Sequence, residues 1–339
     1  MTTETATGTA TSAGPQVVCA QVTVTGVQQL SPTFRRIRVA GPELANFSAQ
    51  LVGSESSSPL TCSDAYVKLL VPPHGASPTR PNIAMGYRAW FAQPQEERGF
   101  LRTYTTRSAR WIPWQGGTVP ELTLDFVVHA QDHGPGSLWA LNAVAGSTVF
   151  ILGPGPNEPA WTSWGPGRAR RIVAVGDETA APALLSIVEE LEATGTAERV
   201  DVILEVPTTA DLPAVVGVAD RGVRKAAAPV RVHALARAES GPHGTGSVRQ
   251  LAHVLDLPTF CVADVLAGRR PGRVMTTPTP DPELMWEVAD PEAERDTYVF
   301  LAGEAASVKA WRRLCVDAAG IPKSNVSFMG YWRRGQAES

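Results

Sequence analysis

Arg102-Thr103-Tyr104-Thr105-Thr106-Arg107, with Arg110 just beyond, sets the reading of this chain. Arginine, threonine and tyrosine suit a half-exposed strand. The run also gathers a guanidinium, a phenol ring and several hydroxyls within one short extended segment. A flavin dinucleotide uses such groups together: Arg102 can fork onto a phosphate, Tyr104 can stack on the ring system, and a hydroxyl such as Thr105 can bond the ring edge near N5. A plain surface strand requires the same residue types, so the run alone leaves both readings open.

The segment Leu122 to Pro156, LTLDFVVHAQDHGPGSLWALNAVAGSTVFILGPGP, favours the flavin. It reads strand, glycine turn, short helix, strand. Gly134, Pro135, Gly136 and Ser137 open the helix. Amides at a helix start point outward and the dipole there attracts an anion. Ser137 can cap or donate, and the glycines let a pyrophosphate approach the backbone.

Before these segments the pattern is mostly strand: 16–39 alternates, and 65–71 is apolar until Pro72-Pro73 stops it. Residues 54–58 and 72–99 read as loops. Strands alone up to about residue 131 predict a small antiparallel barrel. Beyond Gly167 the pattern changes to strand–helix alternation. Strands are expected at 170–175, 199–206, 230–235, 298–301 and 325–329, with helices at 181–193 and 304–319. That alternation predicts a doubly wound parallel sheet. The expected organisation is a lead-in at 1–14, a flavin barrel at 15–157 and a nucleotide-binding α/β unit at 168–339.

Composition narrows the function. The 339 residues are 43% hydrophobic and carry a net charge of −3. No basic block or reader motif suggests nucleic acid, and no apolar run approaches the ~20 residues of a membrane span. The Thr/Ala/Gly-rich start reads as a disordered lead-in with no signal-peptide features, so a soluble cytoplasmic protein is expected. Cys19, Cys62, Cys261 and Cys315 are scattered singly, which disfavours a zinc ribbon or an iron–sulfur cluster. Electrons must then leave a flavin directly.

Six motifs resemble the siderophore-interacting protein family, the FAD-dependent ferric-siderophore reductases of the ferredoxin-reductase superfamily. They are RTYTTR (102–107), DFVVH (125–129), GPGSLWA (134–140), VGDETAAPAL (175–184), FLAGEAASVKAWRRL (300–314) and GYWRRG (330–335). They follow the family's order and span about three quarters of the chain. Gly136 departs from the pattern, which more often has Ala, and 262–295 is longer than usual.

The resemblance implies a Greek-key flavin barrel with Asp125, Phe126, Val128 and His129 along the cofactor. It places Gly176, Asp177, Glu178 and Thr179 on a nicotinamide crevice and brings Tyr331 and Trp332 towards the flavin. Gly303 and Glu304 form a second strand-to-helix junction beside that crevice. Asp177 or Thr179 could cap the helix that follows. Two carboxylates oppose a pyrophosphate, so the nicotinamide–ribose half belongs near Thr179. No basic residue follows Glu205-Val206 to pair a 2′-phosphate, which leans towards NADH over NADPH; Arg237 could reverse this.

Trp161 and Trp164 are expected at the domain junction. The remaining histidines, His74, His133, His233, His243 and His253, show no metal-ligand spacing and read as ordinary surface or structural residues.

The expected reaction is NAD(P)H-dependent release of iron from a ferric siderophore by a monomeric protein. With only four lysines in the chain, Arg35, Arg36, Arg38, Arg333 and Arg334 are the candidates to draw in an anionic chelate. A general flavin reductase or diaphorase, and a non-catalytic FAD-containing siderophore carrier, are the alternatives.

Overall fold

The computed structural model describes residues 16–55, 60–82, 86–129, 134–216, 230–271, 286–290 and 293–335. The expected lead-in at 1–14, His133 and part of 262–295 lie outside them.

The first half runs β1 (Val17–Gln29), β2 (Phe34–Ala40), α1 (Ala49–Val52), β3 (Leu60–Thr61), β4 (Tyr66–Val71), α2 (Gly86–Phe91), α3 (Gln95–Arg98), β5 (Phe100–Trp114), β6 (Gly117–Val127), α4 (Pro135–Asn142) and β7 (Thr148–Pro154). The sheet order is β3-β5-β4-β7-β1-β2-β6, and pairing of β5 with β6 closes it into an antiparallel barrel. Closure removes the exposed edges. The β5–β6 turn places Gln115 and Gly116 at φ of 44° and 88°, the left-handed geometry of a tight hairpin. Among the described residues, short helices precede residue 131, so the expectation of strands alone needs correction. Gly86–Phe91 and Gln95–Arg98 fold inside the stretch read as loop.

Ile37, Val39, Leu122, Leu124, Phe126 and Ile151 are buried inside the barrel. Each such side chain contributes about 1.5–3 kcal/mol. A bulge redirects one of the barrel strands. Between Thr106 and Ser108 the β5–β6 register shifts, leaving Arg107 as the extra residue; an unpaired residue bends the strand and re-aims its side chain.

The second half runs β8 (Arg171–Asp177), α5 (Ala181–Thr194), β9 (Arg199–Val206), α6 (Leu212–Val216), β10 (Val230–Ala236), α7 (Arg237–Ser240), α8 (Thr245–Val254), α9 (Thr259–Leu266), β11 (Trp286–Glu287), β12 (Thr297–Glu304), α10 (Ala305–Arg313) and β13 (Val326–Trp332). Its sheet order is β10-β9-β8-β12-β13-β11, parallel except for β11. The central strands are apolar because both faces are covered. Ile172 and Ala174 pack in one cluster with Leu184 and Val188 of α5. Val173 and Val175 pack in the other with Val248 of α8 and Trp311, just beyond the middle of α10. The helix expected over 304–319 has Glu304 as its N-cap and passes into a π turn at Leu314–Ala318.

Polar side chains join the halves. Arg107 forks onto Glu189 of α5 at 2.6 and 2.7 Å. Ser186 of α5 donates to the Arg107 carbonyl and accepts from the Cys62 amide. Buried Asp211 accepts from the hydroxyls of Ser31, Thr33 and Thr208 and from the amides of Thr33 and Thr208. Asp64 holds the connecting segment through the Thr162 hydroxyl and the Ser163 and Trp164 amides. Trp164 then packs edge-on against Tyr298 and Phe300, while Trp161 meets Tyr66.

Candidate functional site

Parallel strands end on the same side of their sheet, so β8, β12 and β13 deliver Asp177, Glu304 and Trp332 to one crevice. Ligands in open α/β sheets bind outside the carboxyl ends of the strands. Asp177 is the centre of the arrangement and is fully buried. Its Oδ1 accepts from the Thr179 amide and hydroxyl, at 2.9 and 2.5 Å. Its Oδ2 accepts from the Glu304 amide at 2.7 Å and from Trp332 Nε1 at 3.0 Å. Burial alone would raise the Asp177 pKa; the His243 imidazole, the Thr179 hydroxyl and the Trp332 indole outweigh it and hold the carboxyl below its ordinary value.

The expected cap on α5 takes another form. Asp177 ties down the turn before the helix, and no side chain caps the helix itself, whose first turn carries Pro182. Gly303 has φ of +144°, and a Cβ there would stand 2.7 Å from the Asp177 carboxylate. Gly176 serves packing: a Cβ would meet Ala180 and Leu184. Glu304 accepts from the Ala306 and Ser307 amides and so caps α10. Buried Glu178 receives a fork from Arg237 at 2.6 and 2.7 Å, and His129 Nε2 stands 3.6 Å from it.

The β12–β13 register shifts at Gly303/Glu304, pairing Glu304 with Trp332 and leaving Tyr331 extra. Freed from the ladder, the Tyr331 side chain brings its phenol beside Thr105 of the barrel. The residue is half-buried, and burial pushes its pKa well above the usual value. One hydroxyl of the Arg-Thr-Tyr-Thr run thus touches the end of the second sheet.

The rest of that run faces two ways. Tyr104 lies against Phe126, ring centroids 4.2 Å apart, and Phe126 in turn meets Trp139 of α4. A Cβ at Gly136 would overlap the Tyr104 phenol oxygen. Thr103 accepts from Lys68 Nζ at 3.0 Å. Arg102 donates to the Leu101 carbonyl and lies over Phe100. No side chain caps α4; Ser137 donates to the Val127 carbonyl, and Gly134 is the N-cap. An uncapped helix start, a half-buried tyrosine ring and a nearby guanidinium fit a flavin dinucleotide.

Other expected residues have different duties. Arg36 and Asp125 are direct cross-strand partners and form a two-bond fork, both at 2.7 Å. Opposite charges at facing positions attract, so this guanidinium is engaged by a residue expected beside the cofactor. Arg35 donates to Gln29, and the Arg38 guanidinium lies against Gly26. The Arg334 amide approaches Glu304 at 3.4 Å, Arg333 directly follows the last strand, and Val128 is buried in the barrel cluster. Lys68, Tyr66 and His243 lie in or beside the site with no sequence motif to mark them.

The chain matches the siderophore-interacting FAD-binding domain over residues 23–158 and the siderophore-interacting protein domain over residues 169–335. It belongs to the siderophore-interacting protein family. The ferric vibriobactin reductase ViuB of Vibrio cholerae is 23% identical over 312 residues, 91% of this chain and 87% of that protein. The ferric acinetobactin reductase of Acinetobacter baumannii is 33% identical, but over only 113 residues, 35% of that protein. Among solved structures, the siderophore-interacting protein SipS of Aeromonas hydrophila has a TM-score of 0.57 at 22% identity, covering 94% of this chain and 93% of that one. A siderophore utilization protein from T. fusca has a TM-score of 0.56 at 24% identity, with 95% of each chain covered. The two matched domains fall on the barrel and on the α/β unit, in that order. Among the described residues, no helix is long and apolar enough to cross a membrane.

Proposed function

We propose that this siderophore-interacting protein is a ferric-siderophore reductase that takes its electrons from a nicotinamide cofactor. Its named relatives are ferric-siderophore reductases. The observation that carries the reading is the join at Thr105 and Tyr331, where the flavin motif of the barrel meets the strand ends of the parallel sheet. Bound at the barrel, FAD converts a two-electron hydride into the single electrons that ferric iron accepts.

The protein's part is binding and orientation. Arg102 and the start of α4 hold the pyrophosphate, Tyr104 supports the ring system, and Thr105 fixes its edge. Thr179 and its neighbours receive the nicotinamide–ribose half. Arg237, already forked onto Glu178 and with Glu205 4.0 Å away, is engaged by carboxylates, which favours NADH over NADPH. Arg333 and Arg334 on the tail, with Arg35 and Arg38, draw in the anionic chelate. No side chain serves as acid, base or iron ligand. The protein acts as a cytoplasmic monomer.

The test is anaerobic. NADH should bleach the yellow protein, and ferric hydroxamate or catecholate siderophores should restore the colour faster and with saturation when compared with free flavin. Bleaching without preferential reoxidation by a ferric siderophore refutes the substrate; no bleaching by NADH or NADPH refutes the reductase.

A further inference from the structure

His243 sits between β10 and α8, and its side chain is 5% exposed. Its Nδ1 lies 3.0 Å from the Ser307 hydroxyl. Its buried Nε2 stands 3.4 Å from Asp177 Oδ2, an electrostatic contact, and has no acceptor in hydrogen-bonding geometry. A buried polar atom without a partner costs about 1–3 kcal/mol, so such an atom in a crevice marks a place where a ligand completes the bonding.

The surroundings define that ligand. Asp177 Oδ2 lies 3.4 Å from Nε2, but that carboxylate already accepts from Thr179 twice, from Glu304 and from Trp332. A carboxylate offers about four lone-pair sites, so none remains for His243. A lone pair on Nε2 would be repelled by the Asp177 carboxylate 3.4 Å away, which favours the tautomer with the proton on Nε2 and Nδ1 accepting from the Ser307 hydroxyl; that N–H requires an acceptor. A phosphate is excluded, because Asp177, Glu178 and Glu304 would repel it. A metal ion is disfavoured as well. Asp177, Glu178 and His243 could bring donor atoms within 4.8 Å of one another, but an ion would have to strip Trp332 from Asp177 and Arg237 from Glu178. A neutral carbonyl oxygen beside a ring that becomes cationic on oxidation satisfies both the N–H and the carboxylates.

We propose that His243 is a binding residue for the nicotinamide half of the cofactor, its Nε2–H donating to the carboxamide carbonyl. Ser307 is the positioning residue that fixes the proton on Nε2. Trp332, edge-on to the imidazole at 5.5 Å between ring centroids, walls the position. The inference rests on the nicotinamide crevice of the proposed function.

The experiment titrates the oxidised, FAD-loaded protein with NAD+ by calorimetry, where no turnover occurs. His243→Phe keeps a ring and removes the donor; His243→Gln keeps a donor near the Nε2 position. NAD+ should bind about fivefold to tenfold more weakly to His243→Phe, the effect of one hydrogen bond, and His243→Gln should recover most of the loss. In the wild-type protein labelled with 15N-histidine, the His243 Nε2–H signal should shift on adding NAD+, a readout that needs no variant. Equal NAD+ affinity in wild type and His243→Phe, with no shift of that signal, overturns the role of His243 and leaves the crevice standing. A wild type that neither binds NAD+ nor bleaches with NADH or NADPH overturns the crevice and this inference together. Visible Co(II) absorption bands on adding Co2+, absent in His243→Phe, would assign the position to a cation and overturn it too.

Discussion

Arg102 and Arg107 stand in one short run, yet the structure gives them different work, and their variants should separate. Arg107 is 6% exposed at its side chain and Glu189 34%, and the pair joins barrel to α5 by two short bonds. Replacing Arg107 by Met keeps the stem and removes the charge. Glu189 then recovers water, so the loss should be near that of a charge-assisted bond, about 1.5–3 kcal/mol. Replacing Glu189 by Ala does the reverse: it leaves a buried guanidinium unpaired, which costs about 3–5 kcal/mol. The order Glu189→Ala worse than Arg107→Met follows from the unequal burial alone. Urea unfolding followed by circular dichroism, with the double variant completing the cycle, measures both. Heat release and chromatography should find FAD at wild-type content in Arg107→Met. The reasoning is refuted if Arg107→Met loses FAD, or if the two single variants cost the same.

Arg102→Ala should weaken FAD roughly ten- to a hundredfold, the worth of a charge-assisted phosphate contact; unchanged affinity in a flavin titration removes Arg102 from the phosphate. Gly136→Ala should disturb the flavin spectrum with little change in melting temperature, because the helix gains about 1 kcal/mol while Tyr104 is pushed from Phe126; an unaltered spectrum shows that Tyr104 moves away freely. For Asp211, burial works to raise the pKa, but bonds from Ser31, Thr208 and Thr33 hold it below its ordinary value. A depressed folded pKa gives stability that is present above the unfolded value of about 3.9 and lost as the pH falls through the folded one. The gap between wild type and Asp211→Asn in urea should therefore be full at neutral pH and narrow below about pH 4; a gap independent of pH contradicts the ionised clamp. Thr179→Ala should slow bleaching by NADH while the bound flavin spectrum stays normal, and a variant that instead loses FAD breaks the division of labour between the two sheets.

The sequence by itself determined the two architectures. Period-two alternation over 16–39 and the apolar runs at 170–175 and 199–206 are local patterns, and local patterns suffice for strands that bury one face or two. The motif order also placed the flavin run on a barrel strand and Asp177 and Glu304 at strand ends. Short helices such as Gly86–Phe91 escaped because Gly and Pro around them read as loop.

Only the tertiary structure decided which side chains meet. Arg36 finds Asp125 through strand register, 89 residues apart in sequence, and that pairing engages a charge the sequence left free. Arg107 is turned to Glu189 by a bulge, a one-residue shift that composition does not record. His243 looked ordinary because a lone histidine carries no spacing signal. Its meaning lies in an unbonded nitrogen beside a carboxylate whose acceptor positions are full, which arises only when β8, β12, β13 and the loop before α8 converge. Elements form from neighbours along the chain. A site forms from groups far apart along it, and its chemistry depends on which valences the fold leaves open.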